Sequence, residues 1–403
     1  MERARRRGSS TIGSGTYADD EYPADPYPGV APGFSFVHLD AASRRLEPSD
    51  HAAAGWTVDG DGLSGRDLDR WLADRGAAPM TARVPVLAFG SNRCPGKLTW
   101  LREHLGLGGP VVVLRARVEG LAAVWAAGLR ARDGARPATL AVAPGAVETH
   151  AVWMATPDQV AVLDRCEGRG ERYDLVRLRT AGDAAERSST TDVRVVTEDG
   201  ARLDGVWTYW AGDLGTRSRQ GSTPIGELDP SESRAPLLVD GAPVPVAALD
   251  QAAARDLSGA PAPPTPDVVR VEHGAPDPAS WPDRVFVYGT LLPGRSAWSL
   301  MAPHVTGEPR EAWLPGRVHD TGRGYPALVR GGPGRARGAV LTLADPPGAL
   351  PRLDAYEGPD YRRQRAVAHT ADGPVPTWVW TWRGPVHGAP LTAPWPPTSG
   401  SGR

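Results

Sequence analysis

Two carboxylates and two glycine turns are the residues of this chain best suited to chemistry. Glu167 closes the phrase Leu163-Asp164-Arg165-Cys166-Glu167-Gly168 and lies 77 residues beyond Gly90 of Ala88-Phe89-Gly90-Ser91-Asn92. Glu357 closes Leu353-Asp354-Ala355-Tyr356-Glu357-Gly358 and lies 68 residues beyond Gly289 of Val287-Tyr288-Gly289-Thr290-Leu291. A strand that breaks into a glycine turn, with a helix ending in Glu-Gly far downstream, can bring backbone N–H groups and one carboxylate to a single pocket. The carboxylate can accept a proton and later return it. The turn can hold a carboxylate or a developing oxyanion, because glycine tolerates close approach and unusual backbone angles. Thr290, Ser91 and Asn92 can add side-chain hydrogen bonds. Tyr361 and Tyr173 follow the Glu-Gly phrases closely, so their phenols are expected near the same pockets.

The elements that must position these groups recur in the same order. In the first half, an apolar run at 84–89 precedes strand-like stretches at 111–118, 121–125, 139–142 and 149–154. A helix opening at Thr156-Pro157-Asp158, with proline suited to its first turn, delivers Glu167. Strands at 175–178 and 192–196, a turn at Asp199-Gly200 and a closing strand at 205–210 complete that half. The second half repeats the plan with segments at 284–288, 311–318, 327–329 and 336–343. Asp345 is the expected N-cap of the helix ending at Glu357, and Trp378-Val379-Trp380-Thr381-Trp382 stands where Trp207-Thr208-Tyr209-Trp210 stood.

The 403 residues exceed what one core usually serves, and the repeat agrees with two domains. Residues 1–55 are rich in Gly, Ser, Pro, Asp and Arg and are expected to be a disordered arm. Residues 56–82 form a short helical lead-in, with a helix from Ser64 to Ala77 capped by Ser64 and burying Leu68, Trp71 and Leu72. The first domain spans 83–258 and carries a C-terminal extension with a hairpin about Asp240-Gly241 and a helix over 247–255. A proline-rich linker at 259–282, a second domain at 283–387 and a disordered tail at 388–403 follow.

A formal net charge of −2 marks the chain as neither a nucleic-acid nor an acidic-membrane binder and suits a small neutral or zwitterionic ligand. Lys97 is the sole lysine among 45 basic residues, a bias typical of GC-rich bacterial genomes. The basic start Met1 to Arg7 is read as a solvated tail. No apolar h-region follows it and no later run has membrane-spanning length, so the expected location is the cytoplasm. Cys94 and Cys166 provide neither a disulfide framework nor zinc spacing and read as small hydrophobes. Gly60-Asp61-Gly62-Leu63-Ser64-Gly65 matches a dinucleotide fingerprint in letters alone, without a βαβ unit to support it. The closing tryptophans lack the basic stripe of a base-stacking surface.

These motifs resemble the gamma-glutamylcyclotransferase-like superfamily. Residues 283–384 resemble its AIG2-like, gamma-glutamylamine cyclotransferase branch through Val285-Phe286-Val287-Tyr288-Gly289-Thr290-Leu291, through Tyr325-Pro326-Ala327-Leu328 within 322–329, and through Leu353 to Arg362. Residues 83–212 resemble the branch with a Tyr-Gly-Ser-Asn phrase, here with Phe89 in place of tyrosine, Arg93-Cys94-Pro95 after Asn92, and Tyr173 spaced further from Glu167. The resemblance implies an α+β fold of two tandem domains, each a small mixed β-barrel flanked by helices. It implies a cofactor-free, metal-free reaction: the α-amine of a γ-glutamyl group attacks its own γ-carbonyl, releasing an amine or amino acid and forming 5-oxoproline. Glu357 would be the acid/base, with Glu167 as its counterpart. Tyr288, Gly289, Thr290, Leu291 and Tyr361, and in the first domain Phe89, Gly90, Ser91, Asn92 and Tyr173, would contact the small-molecule γ-glutamyl substrate.

Other readings use the same pockets differently. One or both domains could bind a small acidic metabolite without turnover, as a sensor or scaffold, or transfer or hydrolyse a γ-glutamyl acyl group. The first copy could equally serve the second as a structural or regulatory partner. Each short phrase taken alone is commonly only a turn or a solvated charge, and it is their ordered repetition that argues for a site.

Overall fold

The computed structural model describes residues 15–391 apart from 53, 61–62, 132, 179–192, 212–232, 264–268 and 387–388. Strands dominate, and helices are few and short. The chain opens with five strands: β1 (Thr16–Ala18), β2 (Phe36–Leu39), β3 (Ala42–Pro48), β4 (Trp56–Gly60) and β5 (Leu63–Asp67). From β2 to β5 each pairs antiparallel with the next, and β1 pairs with β3.

This corrects the reading of residues 1–55 as disordered, since 16–48 contain three of these strands. Phe36, Val37 and Leu46 are buried, and Phe36 lies opposite Val113. The segment has too little apolar surface to fold alone and orders by adding an edge strand to a sheet made elsewhere. The lead-in also differs. Ser64 belongs to β5, and the helix α1 (Leu68–Ala73) is capped by Asp67, which accepts the Arg70 N–H at 2.9 Å. Its expected inner face of Leu68, Trp71 and Leu72 is fully buried.

The first half continues with β6 (Val84–Ala88), α2 (Pro95–Leu105), β7 (Val111–Trp125), β8 (Ala138–Ala155), α3 (Pro157–Glu167), β9 (Tyr173–Leu178), β10 (Arg194–Thr197), β11 (Arg202–Leu203) and β12 (Trp207–Ala211). The two stretches expected at 111–118 and 121–125 are one strand, broken in register beside Gly120, whose φ is +82°. β8 pairs with β6 and β7, β10 with β7 and β11, and β12 lies antiparallel to β9 and parallel to β6. These strands share one 13-stranded sheet with β1–β5 and a late strand. The first half is therefore not the separate small barrel expected of it, because β2 pairs with β7 and carries the sheet onward.

An extension follows: β13 (Leu237–Val239), β14 (Ala242–Pro243), α4 (Gln251–Arg255), β15 (Ala260–Pro261) and β16 (Val269–Val271). Asp240 and Gly241 take φ of 50° and 80°, the conformation a two-residue hairpin turn requires. The supposed linker at 259–282 joins the fold, with β15 paired to β13, β16 paired to β9, and Trp281 buried. Its prolines suit these short edge strands.

The second half contains β17 (Arg284–Val287), α5 (Trp298–Met301), β18 (Val305–Asp320), β19 (Pro326–Leu343), α6 (Pro346–Glu357), β20 (Tyr361–Thr370) and β21 (Gly373–Trp382). The order β17-β19-β18-β20-β21 closes on itself through a parallel contact of Val285 with Trp378. β17 alternates between two cores. Val285 and Val287 pack with Ala349, Leu350 and Leu353 of α6, whereas Phe286 and Tyr288 face Leu314, Leu328 and Val379. Beyond β21, the Leu391 N–H donates to Val318 O at 2.7 Å, so the expected tail begins within the sheet, while residues 392–403 lie outside the described residues.

The halves meet through polar contacts. Arg365 donates to the carbonyls of Met80, Arg83 and Pro278 at 2.6–2.8 Å, and Arg284 pairs with Asp204 at 2.5 Å. Among the described residues no helix is long and apolar enough to cross a membrane.

Candidate functional site

Strand β17, buried along its length, leads directly into Tyr288-Gly289-Thr290-Leu291. The Tyr288 hydroxyl donates to Trp380 O at 2.9 Å and anchors the start of the turn to β21. The Leu292 N–H closes on Gly289 O at 3.2 Å, and the Ala297 N–H on Thr290 O at 3.0 Å. Helix α6 starts at Asp345, which accepts the Gly348 N–H at 3.2 Å, and carries proline in its first turn. Gly358, at φ +72°, ends it and leaves Glu357 as its last residue.

The two elements enclose a cavity of about 250 Å³ lined by Tyr288, Gly289, Thr290, Leu291, Glu357 and Tyr361, together with Tyr325, Tyr356 and Asp360. All the second-half residues singled out from the sequence therefore border one space. Tyr361 is held in place at both ends, since its hydroxyl donates to Pro326 O at 2.6 Å and its ring meets Trp382 edge-on at 5.3 Å. Thr290 and Tyr356 share a hydrogen bond at 3.0 Å. Asp354, one turn before Glu357, accepts from Trp380 Nε1 at 2.9 Å and pairs with Arg363 at 3.2 Å. Burial, with the Asp354 charge adding to it, raises the Glu357 carboxyl to about 7.

The first half builds a second cavity of about 560 Å³. Strand β6 feeds Phe89 and Gly90, and Ser91–Arg93 form a single 3₁₀ turn before α2. Trp153 Nε1 donates to Asn92 O at 2.8 Å and fixes that turn to β8. Helix α3 opens with a reciprocal cap, in which Thr156 Oγ1 accepts the Gln159 N–H at 3.3 Å and Gln159 Oε1 accepts the Thr156 N–H at 3.2 Å. It ends at Gly168, φ +67°.

Asn92 Nδ2 donates to Glu167 Oε1 at 2.6 Å, joining the glycine turn directly to the carboxylate. Burial raises the Glu167 carboxyl from its ordinary value, while the Asn92 hydrogen bond and the charges of Lys97, Arg172 and Arg234 oppose the rise. Phe89, Gly90, Ser91, Asn92, Glu167 and Tyr173 all line this cavity. Cys94 is buried and its thiol pushed up to about 12, as suits a packing role.

Certain contacts occur in both halves. Tyr361 donates to the first carbonyl of β19, and Tyr173 donates to Ala138 O, the first carbonyl of β8, at 3.1 Å. Trp380 reaches Asp354, and Tyr209 reaches Asp164 at 2.7 Å; each aspartate stands three residues before its glutamate. Trp378 lies beside Val285 and Trp207 beside Val86, both in parallel pairing.

The sequence reading missed Tyr27, Lys97, Arg130, Arg172 and Arg234, which also border the first cavity. Arg172 could have been found from its place just beyond the Glu-Gly phrase. Arg130 and Arg234 arrive on segments tied together by the Arg234 bond to Leu129 O at 3.4 Å and the Gly128 N–H bond to Ser233 O at 2.7 Å. No local motif announces that meeting.

Residues 285–397 match the family model for gamma-glutamyl cyclotransferase, AIG2-like. Similar solved structures include YkqA from Bacillus subtilis, 20% identical over 26% of this chain and 37% of its own, with a TM-score of 0.21. An AIG2-like protein from Mus musculus is 21% identical over 26% of this chain and 85% of its own, with a TM-score of 0.23. An uncharacterized protein from Pyrococcus horikoshii is 22% identical over 27% of this chain and 84% of its own, with a TM-score of 0.22. No curated protein sequence matches the chain.

Proposed function

We propose that the chain is a cofactor-free γ-glutamylcyclotransferase-like enzyme with two related sites, which cyclises a γ-glutamyl amine or peptide to 5-oxoproline. The family match over 285–397 supports this class of activity for the second half. The observation that carries the mechanism is the half-buried Glu357 facing the Tyr288–Leu291 turn across one cavity, with its carboxyl raised to about 7. A carboxyl with that pKa exchanges a proton readily near neutrality.

In the reaction, Glu357 takes a proton from the substrate α-ammonium group. The amine lone pair then attacks the γ-carbonyl carbon and forms the ring C–N bond, leaving a tetrahedral oxyanion that backbone N–H groups of the glycine turn stabilise. As the oxyanion re-forms the carbonyl, the bond to the departing nitrogen breaks while Glu357 returns its proton to that nitrogen. The ring nitrogen, which still carries two hydrogens, gives its extra proton through the newly ionised Glu357 to the released amine, leaving neutral lactam and an ammonium group. Nucleophile and electrophile share one molecule, so a cavity that holds the γ-glutamyl chain curled removes much of the entropic barrier, an effect worth about 7–11 kcal/mol in well-oriented cases.

We extend the same chemistry to Glu167 and Phe89–Asn92, reading residues 83–258 as a diverged copy of the second domain. The repeated tyrosine-to-carbonyl and aromatic-to-aspartate bonds and the shared parallel contact support that reading.

Release of 5-oxoproline, followed by mass spectrometry over a panel of γ-glutamyl peptides and amines, tests both sites in wild type, Glu167→Gln, Glu357→Gln and the double variant. Product is expected from each single variant and none from the double variant. Full activity in the double variant would remove both glutamates from the mechanism. No product from any folded sample would leave the two cavities as metabolite-binding sites.

A further inference from the structure

The first cavity has a wall that the second lacks. Residues 22–30 run along the start of α2 and across the mouth of the glycine turn. The Gly96 N–H donates to Tyr22 O at 3.1 Å, Cys94 Sγ to Pro28 O at 3.3 Å, and the segment closes on itself through Val30 N–H to Pro23 O at 2.9 Å. Tyr27 projects from it into the cavity. The Arg130 guanidinium lies over its ring at 4.7 Å, and the Trp125 ring is 6.3 Å away. Its hydroxyl is so close to Gly90 that a Cβ there would sit 2.9 Å from it. A side chain at Gly90, whose φ of −103° any residue can adopt, would therefore push the Tyr27 hydroxyl out of its place.

The hydrogen-bond direction at Tyr27 sets it apart. The Ala138 N–H donates to the Tyr27 oxygen at 2.8 Å, which uses an acceptor lone pair and leaves the phenolic proton to be donated elsewhere. Tyr173, Tyr209, Tyr288 and Tyr361 each donate their proton to a protein oxygen. Among the described residues no protein oxygen accepts the proton of Tyr27. Burial, with a smaller contribution from the Glu167 charge, pushes this phenol up to about 12, so it remains a neutral donor throughout the physiological range. In the second half the position of Ala138 is taken by Pro326, as their matching bonds from Tyr173 and Tyr361 indicate. Proline has no N–H with which to hold such a tyrosine.

We propose that Tyr27 is a catalytic residue of the first cavity, donating its hydroxyl proton in a hydrogen bond to the substrate's γ-carbonyl oxygen beside Gly90. This rests on the cyclotransferase reading of that cavity. A neutral donor suits an oxygen that gains charge only as the ring closes, while Lys97 and Arg172 are the natural partners for a permanent carboxylate. The N-terminal segment is then part of the active site.

The test uses the full chain with Glu357→Gln to silence the second cavity. In that background Tyr27→Phe retains the ring beneath Arg130 and removes only the hydroxyl. The expected result is a fall in kcat of roughly 10²-fold, the usual loss for one oxyanion donor, with KM changed far less. A kcat within twofold of the parent would overturn the proposal. In a second arm, 3-fluorotyrosine at position 27 reports contact by its 19F resonance during titration with N-acetyl-γ-glutamylglycine, whose blocked amine cannot cyclise. A saturable shift is expected, and an unmoved resonance overturns the contact. If the Glu357→Gln parent turns over no γ-glutamyl compound, the cyclotransferase reading of the first cavity fails, and the fluorine arm alone decides whether Tyr27 meets a ligand.

Discussion

The two cavities place a glutamate at the same helix end and surround it in opposite ways. Glu357 is raised by burial, and its nearest charged influence is another anion, Asp354. Glu167 is also raised by burial, but an amide donor and three cations pull against that rise. The glycine turns differ to match: Asn92, whose amide holds the Glu167 carboxylate, stands where the second half has Leu291. A glutamate at a helix end can therefore be tuned by desolvation reinforced by a neighbouring anion, or by desolvation opposed by attraction. The first cavity also has more than twice the volume, and its wall includes Arg130, Arg234 and Tyr27 from segments outside the shared plan.

The comparison breaks most decisively at Glu357. Replacing it with Gln keeps shape and removes proton transfer, so turnover at the second cavity is expected to fall about 10²–10⁴-fold while the first cavity continues. Assaying Glu357→Gln beside Glu167→Gln on one substrate panel checks this. Equal residual activity on every substrate would mean that the cavities are not functionally distinct.

A finer test alters the balance at Glu167. Asn92→Leu copies the second turn into the first and removes the hydrogen bond that favours the ionised carboxylate, so the Glu167 pKa must rise further. The acid limb of kcat/KM for the first cavity, measured with Glu357→Gln in the background, is expected to move to higher pH. In the complementary background of Glu167→Gln, the limb of the second cavity is expected near pH 7, with rates falling about tenfold per unit below it. A first-cavity limb that stays in place after Asn92→Leu would show that the amide does not tune Glu167.

The parts of these sites legible in the sequence are those that local chemistry specifies. Gly168 ends its helix in the left-handed conformation and Gly358 ends its own at a positive φ with extended ψ, so each Glu-Gly phrase places its carboxylate at a helix end. Proline and capping residues located the starts of α3 and α6, though not that of α1, and strand patterns located β6, β17, β12 and β21. Tyr27 was illegible for the opposite reason. Its segment is polar and proline-rich, and what orders it is distant: Ala138 lies 111 residues away, and Phe36 pairs with Val113. The linker reading failed in the same way, because β16 is specified by the open edge of β9 more than by its own residues. Composition reports whether a segment can fold alone and is silent about the edges available to it.

The smallest expected effect concerns stability and follows from the same contrast. Glu357 has a folded-state pKa raised to about 7, well above the ordinary carboxyl value of 4.5. A carboxyl raised by folding contributes its full share of stability when protonated in both states, below the unfolded value, and that share is lost as pH rises through 7. At pH 8 the folded chain must hold a half-buried anion beside Asp354, a cost that the neutral amide of Glu357→Gln avoids. The variant is therefore expected to melt roughly 4–8 °C above wild type at pH 8, the shift produced by about 1 kcal/mol in a domain of about 100 residues, with the difference closing toward pH 4. Differential scanning calorimetry at the two pH values measures it. A variant less stable than wild type at pH 8 would mean that the Glu357 anion is well solvated or paired in the folded chain. A lack of compensation would then no longer distinguish it from Glu167, whose charge is balanced by Asn92 and the surrounding cations.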